Sequence, residues 1–502
     1  MDPYYPDAQL ADVLDSVAPT VIVGADAASI TRMPATALDA ARMLIALRGP
    51  AAQGVMALGT LVDEPAALDA KRARPDDLAL LTFSSGTTGQ PKPIAYSHGQ
   101  VITAVRSIVE AFPQIDEGAR LVGWLPLANL FQRMIDFCAI DRGAVTYVVE
   151  DPRDVMKALP AANPDLLIGV PRFFEKVHAG VRDRLESGGA ARLVAGWAVR
   201  QGAKRAQAAA AGRKLAAADR ALLAFAERLV LSRVKAPFGT RLRFFVSGSA
   251  PMPRWLLEWF DALGLPVLEA YGVSENIVPV AINTLAGRRP GSVGRPLPPN
   301  EVRLAPDGEV LVRGSGVFQG YLDRGVLTPA ALTADGFWPT GDCATRDEDG
   351  YLSLSGRKAD LFKLSTGRWV VPAPIEERLR RAPGVDQAVV LGAGRKVPVA
   401  IVLVSPETRV RLGAPAAEGA LSPDEEIALG RGIESALRDV AAHERPAGIL
   451  VTTSPFSVAG GEITTNLKVR RRAVEAKHET ALARLFAALE HGEPGAMVVH
   501  QT

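Results

Sequence analysis

The chain has 502 residues, is 48% hydrophobic and carries a formal net charge of +2, which argues against a disordered chain or a general nucleic-acid binder. Its length predicts about two to four domains. Cys138 and Cys343 lie far apart in sequence and the six histidines do not cluster, so no zinc site is indicated and a reducing compartment is favoured. No apolar run reaches the roughly 18 residues of a spanning helix. The first residues lack a signal-peptide pattern, which predicts a cytoplasmic protein.

The first chemically informative stretch follows an apolar run that predicts a strand at 78–83. Its sequence is Ser84-Ser85-Gly86-Thr87-Thr88-Gly89-Gln90-Pro91-Lys92. The two glycines permit a tight turn, and backbone N–H groups, hydroxyls and an ammonium together can cradle a polyphosphate. The spacing differs from that of the P-loop, because Pro91 precedes the lysine and no Ser or Thr follows it. A polar turn after a strand is the simpler alternative.

The segments around this loop predict alternating helices and strands. Residues 9–23 predict a helix followed by a strand, and 98–112 predict a helix. Short apolar runs predict strands at 121–127, 144–149 and 164–171. Strands that alternate with helices indicate parallel βαβ units, and hence an α/β fold.

Two later segments combine a strand with small or chemically distinctive residues. Residues 241–251 predict a strand that enters a turn of small residues, where a flat ring or an acyl chain could approach the backbone. In 266–276, Tyr271 offers an aromatic face and Glu275 offers a carboxylate suited to Mg²⁺. A capped helix start is the alternative for the second segment.

These stretches, in this order, resemble the adenylate-forming superfamily of acyl-CoA synthetases, luciferases and peptide-synthetase adenylation domains. The 84–92 string resembles the family's phosphate loop, and 271–275 resembles its Y-G-x-T-E motif with Ser274 in place of threonine. The motif at 172–177 resembles bacterial long-chain fatty acyl-CoA synthetases in particular. The resemblance extends over nearly the whole chain.

The resemblance implies a large multi-subdomain N-terminal domain at 1–358, with βαβ sheets and a small β subdomain. A small, mobile α+β C-terminal domain is expected at 359–502. The segment 9–23 resembles one that lies well inside the family's N-terminal domain, so the chain is expected to be truncated at its start and to leave a sheet edge unpaired. A helical insert is expected at about 182–235.

The resemblance also implies a role for each matched residue. Lys468 is expected to be the catalytic lysine, with Lys92 and Glu275 assisting, and Ser84 and Glu275 are expected to hold Mg²⁺. The loop Ser365, Thr366 and Gly367 is expected to line a CoA channel. The residues expected to bind ATP or AMP are Ser84, Ser85, Gly86, Thr87, Thr88, Gly89, Ser249, Ala250, Pro251, Glu269, Ala270, Tyr271, Gly272, Ser274, Asp342 and Arg357.

The implied reaction activates a medium- or long-chain fatty acid to acyl-AMP with ATP and Mg²⁺, and then transfers the acyl group to CoA. The insert carries ten Lys or Arg against two acidic residues at 190–235. That composition fits either a solvated helical pair or a basic face that meets anionic lipid at the inner face of the membrane, or the CoA phosphates. No nucleic-acid partner is expected.

Four departures from the family pattern keep two alternatives open. They are the short N-terminus, Asn129 where a histidine is usual, Ala359 at the hinge, and Pro93, which removes a backbone donor beside the phosphate loop. One alternative is an acyl-AMP ligase that loads a carrier protein. The other is a non-catalytic relative, which the retention of Lys92, Glu275, Asp342, Arg357 and Lys468 together argues against.

Overall fold

The computed structural model describes residues 7–61, 73–84, 92–185, 189–404, 421–457, 460–463, 469–490 and 497–499. The chain divides into two compact units. One comprises Met1–Arg303, Leu311–Pro339 and Arg346–Ser353, and the other comprises Leu304–Val310, Thr340–Thr345 and Leu354–Thr502. The first is called the large unit below and the second the small unit.

Helices and strands alternate along the large unit, as the sequence predicts for a mixed α/β fold. The helices are α1 Asp7–Val17, α2 Ala27–Thr31, α3 Ala35–Ala40, α4 His98–Ala111, α5 Leu130–Arg142, α6 Val155–Ala162, α7 Pro171–Leu185, α8 Gly189–Ala210, α9 Ala217–Ala226, α10 Ser232–Lys235 and α11 Arg254–Leu263. The strands up to Arg357 are β1 Val21–Gly24, β2 Met43–Ala46, β3 Met56–Ala57, β4 Leu78–Ser84, β5 Lys92–Ser97, β6 Arg120–Gly123, β7 Val145–Val148, β8 Leu166–Gly169, β9 Phe244–Ser247, β10 Val267–Tyr271, β11 Ala281–Ile282, β12 Arg295–Pro296, β13 Glu301–Leu304, β14 Glu309–Arg313, β15 Gly320–Asp323, β16 Val326–Pro329, β17 Trp338–Arg346 and β18 Leu352–Arg357.

The core of the large unit lies on both faces of a five-stranded sheet with the order β12-β11-β10-β9-β8. Strands β8, β9 and β10 are parallel, and every residue of β8 and β9 is buried. Alternate side chains enter two separate cores: Phe245 packs into one and Phe244 into the other. This two-sided burial explains why these strands are continuous apolar runs in the sequence.

A second sheet, of order β16-β15-β5-β4, brings distant segments to the predicted phosphate loop. Strands β4 and β5 are antiparallel, and Ser84 lies opposite Lys92. Strand β15 pairs with the other edge of β5, with Tyr321 opposite Ile94. The chain from 320 to 329 therefore lies beside the strand that carries Lys92.

Smaller sheets complete this unit. Strands β1, β2 and β3 form a parallel sheet, and the outward side chains of Val21 and Val23 on β1 are 45% and 54% exposed. Strands β6 and β7 form a parallel pair. A further sheet has the strand order β13-β14-β17-β18, and each of its strands has residues in both units.

The predicted helical insert is helical in the structure. Helices α8 and α9 pack together, and a π-helical turn at Glu227–Leu231 leads into α10. Buried residues of these helices join the aromatic core around Phe174 and Phe260. Among the described residues, no helix is long and apolar enough to cross a membrane.

The rest of the small unit has a compact α+β organisation. Its helices are α12 Pro372–Leu379, α13 Pro423–Leu437, α14 Arg471–Lys477 and α15 Glu479–Glu490, and its strands are β19 Phe362–Lys363, β20 Trp369–Val370, β21 Gln387–Leu391, β22 Val399–Leu403, β23 Gly448–Thr452 and β24 Met497–Val499. The last four strands form one sheet in chain order, antiparallel at β21–β22 and parallel thereafter. Val402 and Ile401 face separate apolar cores on its two sides.

The predicted strand at 121–127 is wrong in its second half. Strand β6 ends at Gly123. The next two backbone N–H groups, of Trp124 and Leu125, donate to the side-chain oxygen of Gln132 at 3.3 and 3.2 Å rather than to a neighbouring strand. A side chain from the following helix α5 therefore ends the strand, which apolar composition cannot reveal.

Candidate active site

The two strands that flank the predicted phosphate loop bring its ends together. Ser84 ends β4 and Lys92 begins β5, directly opposite each other in the antiparallel pair. The loop residues Ser85, Gly86, Thr87, Thr88 and Gly89 lie outside the described residues, as does the side chain of Ser84. Lys92 is exposed beside this hairpin.

Glu275 lies in an irregular segment after β10, so the capped helix start considered for 271–276 is wrong. Its backbone is fixed from two sides. The Phe318 N–H donates to the Glu275 carbonyl at 2.9 Å, and the buried Tyr96 hydroxyl donates to the Ser274 carbonyl at 2.5 Å. The Ile277 N–H also donates to the Gly316 carbonyl at 2.9 Å.

Tyr321 connects Glu275 with Lys92. Its hydroxyl donates to Glu275 Oε1 at 3.0 Å, and Lys92 Nζ lies 5.2 Å from the centroid of its ring. A carboxylate, a phenol and an ammonium therefore stand together beside the phosphate-loop hairpin. We call Lys92, Tyr96, Ser274, Glu275 and Tyr321 the Glu275 cluster.

Both tyrosines of the cluster remain protonated hydrogen-bond donors. Burial raises the pKa of Tyr321, and the negative charge of Glu275 and its hydrogen bond raise it further. Burial and then the Glu275 charge raise the pKa of Tyr96 well above its ordinary value. A phenol that stays neutral leaves the charge of the neighbouring carboxylate in place.

The residues expected around an adenine line the end of β10 and the turn after β9. Tyr271 is buried, and the buried carboxylate of Glu269 accepts a hydrogen bond from the Gly291 N–H at 3.0 Å. In the turn of Ser249, Ala250 and Pro251, Ser249 has φ +72°, a left-handed conformation that is uncommon outside glycine. Ala270 lies in β10, and Gly272 is exposed just after it.

The residues expected at the ribose lie in the small unit. Arg357 Nε is 3.3 Å from Asp342 Oδ1, and the Asp342 side chain is largely buried. The Thr340 hydroxyl accepts from the Asp342 N–H at 3.2 Å and donates to the Val310 carbonyl at 2.9 Å. The sequence therefore predicted two residues that the fold brings together, Asp342 in the middle of β17 and Arg357 at the end of β18.

The segment that follows Arg357 is held by carboxylates. Lys358 Nζ lies 2.7 Å from both Asp307 Oδ2 and Glu309 Oε2, and these hydrogen bonds, the one to Asp307 foremost, raise the pKa of Lys358. Ala359 sits in the short 3₁₀ turn Lys358–Asp360. Lys358 is thus an ion-pair partner next to the hinge predicted here.

The expected CoA-channel residues, Ser365, Thr366 and Gly367, form the exposed tip of the β19–β20 hairpin. Gly367 has φ +84°, the left-handed conformation that a tight turn requires. The Ser365 N–H donates to the Arg395 carbonyl at 2.9 Å, which ties the tip to the loop after β21.

Lys468 lies outside the described residues, but residues on both sides of it in the sequence are described. Ile463 and Val469 form an isolated antiparallel bridge. The Glu462 side chain is fully buried, pairs with Lys477 and accepts from the Ser457 N–H at 3.0 Å. We call Glu462, Lys477 and Ser457 the Glu462 cluster.

The structure shows where two departures from the family pattern lie, and it gives one of them, Asn129, a structural role. Asn129 Oδ1 accepts from the Phe131 N–H at 3.0 Å, so Asn129 is the N-cap of α5. Pro93 lies in β5 opposite Phe83.

Sequence reasoning missed Tyr321, Tyr96 and Glu462. Tyr321 reaches Glu275 because Val317 and Asn276 form an antiparallel bridge, and Tyr96 reaches the neighbouring Ser274 carbonyl from β5. Glu462 is a buried carboxylate whose partner, Lys477, cannot be identified without the structure. Among the described residues, no group of three or more His, Cys, Asp or Glu side chains could hold a metal ion.

Comparison with known proteins supports the same family along most of the chain. The model of the AMP-binding enzyme family matches residues 1–322, and that of the AMP-binding enzyme C-terminal domain matches residues 359–490. The long-chain-fatty-acid–CoA ligase FadD15 of Mycobacterium bovis is 30% identical over 439 residues, covering 85% of this chain and 72% of that protein. The putative fatty-acid–CoA ligase fadD11 of Mycobacterium tuberculosis is 31% identical over 429 residues, 83% of this chain and 75% of that protein.

Solved structures share the fold. The A domain of a carboxylic acid reductase from Segniliparus rugosus, determined with AMP and a co-purified carboxylic acid, superposes with a TM-score of 0.71 at 20% identity. The alignment covers 97% of this chain and 78% of that chain. With the family model matched over more than half of its residues, the chain belongs to the AMP-binding enzyme family.

Proposed function

We propose that the protein is an ATP-dependent fatty acid–CoA ligase for medium- or long-chain acids, which forms an acyl-AMP and then an acyl-CoA. The observation that carries the proposal is the Glu275 cluster, which places a carboxylate and an ammonium on either side of Tyr321 beside the phosphate-loop hairpin. The names of the ligases with 30–31% identity support the choice of a fatty acid and of CoA.

The proposed first step joins two negatively charged partners, a carboxylate and a triphosphate. Lys92 and the loop donors would neutralise phosphate charge, and Lys468 would bridge the carboxylate and the α-phosphate. Glu275 and Ser84 would hold Mg²⁺, which prefers oxygen ligands and usually takes one or two carboxylates together with substrate phosphates. When bound, Mg²⁺ supplies positive charge where negative charge develops on the phosphates.

The remaining expected residues would position the substrates. Tyr271 with Gly272 and Ala270, and the turn at 249–251, would contact the adenine. Asp342 and Arg357 would hold the ribose hydroxyls. Ser365, Thr366 and Gly367 would line the CoA channel. A boundary at 358/359 would let the C-terminal domain present Lys468 in the first step and the CoA channel in the second.

The helical insert supports a further part of the proposal, peripheral attachment to an anionic membrane from the cytoplasmic side. Leu193, Leu222 and Phe225 are 74%, 43% and 59% exposed, and the segment 190–235 that carries them has ten Lys or Arg against two acidic residues. Apolar side chains beside a basic face suit an interface that is both charged and apolar. Co-sedimentation with phosphatidylglycerol vesicles, but not with phosphatidylcholine vesicles, is the expected result, and F225A should weaken it.

The decisive test is a panel of carboxylic acids from acetate to C18, assayed for pyrophosphate release with ATP and Mg²⁺ in the presence and absence of CoA. We expect release that needs an acid, and acyl-CoA as the product with medium or long chains. Stoichiometric acyl-AMP that CoA does not discharge would favour the carrier-loading ligase. Folded protein that releases no pyrophosphate with any acid would favour the non-catalytic relative.

A further inference from the structure

Tyr321 touches both charged groups of the Glu275 cluster, and the family motifs in the sequence give it no role. On the basis of the proposed function, we infer that Tyr321 is a positioning residue. It orients the Glu275 carboxylate for Mg²⁺ and, at the same time, the Lys92 ammonium for the ATP phosphates.

Strand register explains how Tyr321 reaches Lys92. Tyr321 lies directly opposite Ile94 in the antiparallel pair of β15 and β5. Lys92 precedes Ile94 by two residues, so Lys92 and Tyr321 project from the same face as diagonal neighbours. Aromatic and long side chains bridge that spacing, and the lysine ammonium accordingly lies over the tyrosine ring.

The hydroxyl of Tyr321 engages one oxygen of Glu275. It donates to Oε1, and among the described residues it is the hydrogen-bond donor to the Glu275 carboxylate. A bond to one oxygen fixes the plane of the carboxylate and leaves Oε2 to face another ligand. Hydrogen-bond partners of this kind orient metal-binding carboxylates, and their loss typically costs about 10–100-fold in metal affinity or activity.

The ring of Tyr321 is itself held in place. It packs edge-on against Phe318, with centroids 4.9 Å apart, and Phe318 packs in turn against Trp338 at 4.8 Å. The backbone N–H of the same Phe318 bonds the Glu275 carbonyl. One segment, 316–321, therefore fixes the main chain of Glu275, its side chain and the tyrosine between Glu275 and Lys92.

Two substitutions separate the contributions of the hydroxyl and the ring. Tyr321→Phe removes the bond to Glu275 and keeps the ring under Lys92, whereas Tyr321→Leu removes both. Tyr351→Phe is the matched control, because Tyr351 is also a phenol of the large unit with guanidinium groups over its ring, those of Arg289 and Arg295. Thermal unfolding of each variant establishes that it is folded.

The readout is ATP binding by isothermal titration calorimetry over a range of Mg²⁺ concentrations, followed by the adenylation rate over the same range. We expect Y321F to raise the Mg²⁺ concentration at half-saturation by about tenfold, with the rate at saturating Mg²⁺ nearly unchanged. Y321L should add a loss of about 2–5-fold in ATP affinity at saturating Mg²⁺, from the missing ring under Lys92. Y351F should match the wild type in both.

The outcomes separate this inference from the proposed function. If the wild type binds ATP with Mg²⁺ and Y321F has the same Mg²⁺ dependence as Y351F, the role of Tyr321 is overturned and the proposed function stands. If the wild type and Y351F bind ATP with Mg²⁺ but activate no acid, the positioning role is still decided by the binding data while the proposed function fails. If the wild type binds no ATP, both fall.

Discussion

Glu275 in the large unit is a half-buried carboxylate and Glu462 in the small unit a fully buried one, and their partners differ in charge. Glu275 accepts a hydrogen bond from a neutral phenol, with the Lys92 ammonium over the ring of that phenol. Glu462 is fully buried, pairs with the Lys477 ammonium and accepts a backbone N–H. The first carboxylate keeps its negative charge available, and the second is already neutralised.

This difference distinguishes a carboxylate that stabilises the fold from one that is available to bind a ligand. A buried carboxylate without compensation is expensive, so a structural one needs a cation and hydrogen bonds around it. A carboxylate that must accept Mg²⁺ cannot be neutralised in advance by a side-chain cation. A neutral donor such as Tyr321 can aim it without removing its charge. We therefore expect Glu275 to matter for activity and Glu462 to matter for stability.

The largest effect should come from Glu275→Gln. Glutamine can still accept the Tyr321 hydrogen bond, so the fold should be kept, but the charge that would hold Mg²⁺ is lost. We expect adenylation to fall by about 10²–10³, equivalent to roughly 3–4 kcal/mol. The measurement is pyrophosphate release under saturating ATP, with thermal unfolding in parallel.

The matched control is Glu258→Gln, which neutralises an exposed carboxylate paired with Arg254 on the same unit. It should leave adenylation within about twofold of wild type, as expected for an exposed ion pair. A Glu275 variant as active as this control would remove Glu275 from the site. An unfolded Glu275 variant would make it structural, like Glu462.

Lys468→Ala should have a similar effect on only one of the two half-reactions. The Lys468 ammonium would contact the acyl carboxylate and the α-phosphate during adenylation. Losing such a donor should slow that step by about 10²–10³. Acyl transfer from supplied acyl-AMP to CoA should stay within about fivefold of wild type, because Lys468 acts in the first step only.

Single-turnover kinetics on each half-reaction measure this separation. Arg472→Ala is the control, since Arg472 is an exposed cation a few residues away. Equal losses in both half-reactions would mean that Lys468 serves the structure of the loop rather than the first step.

Glu462→Gln should act on stability. The amide cannot neutralise Lys477, although Lys477 is 39% exposed and can regain water. We expect a loss of about 2–3 kcal/mol in the unfolding free energy of the small unit, less than for a fully buried pair. Urea denaturation measures it, and the exposed Glu475→Gln should change it by less than about 0.5 kcal/mol. Equal stability of the two variants would show that the Glu462–Lys477 pair contributes nothing.

The sequence could predict the α/β class and most strands, because two-sided burial makes β8, β9 and β22 unbroken apolar runs. It could also bring Asp342 together with Arg357 by resemblance. It could not predict where β6 ends, since that depends on Gln132 in another element. Nor could it predict Tyr321 beside Glu275, because the two segments are joined by an isolated antiparallel bridge between Asn276 and Val317, which no local pattern encodes.

The smallest expected effect is the pH dependence of the stability that Glu462 contributes. Hydrogen bonds from Lys477 and the Ser457 N–H outweigh burial and lower the pKa of Glu462 below its ordinary 4.5. A carboxyl whose pKa is lower in the folded state contributes stability that is fully present above pH 4.5 and is lost as the pH falls through the folded pKa. The stability difference between wild type and Glu462→Gln should therefore be constant from pH 7 to about 5 and should shrink below pH 4.5. Urea denaturation of both proteins across that range tests this, with Glu475→Gln as the reference. A difference that stays constant down to pH 3 would mean that the ionised Glu462–Lys477 pair is not what glutamine removes.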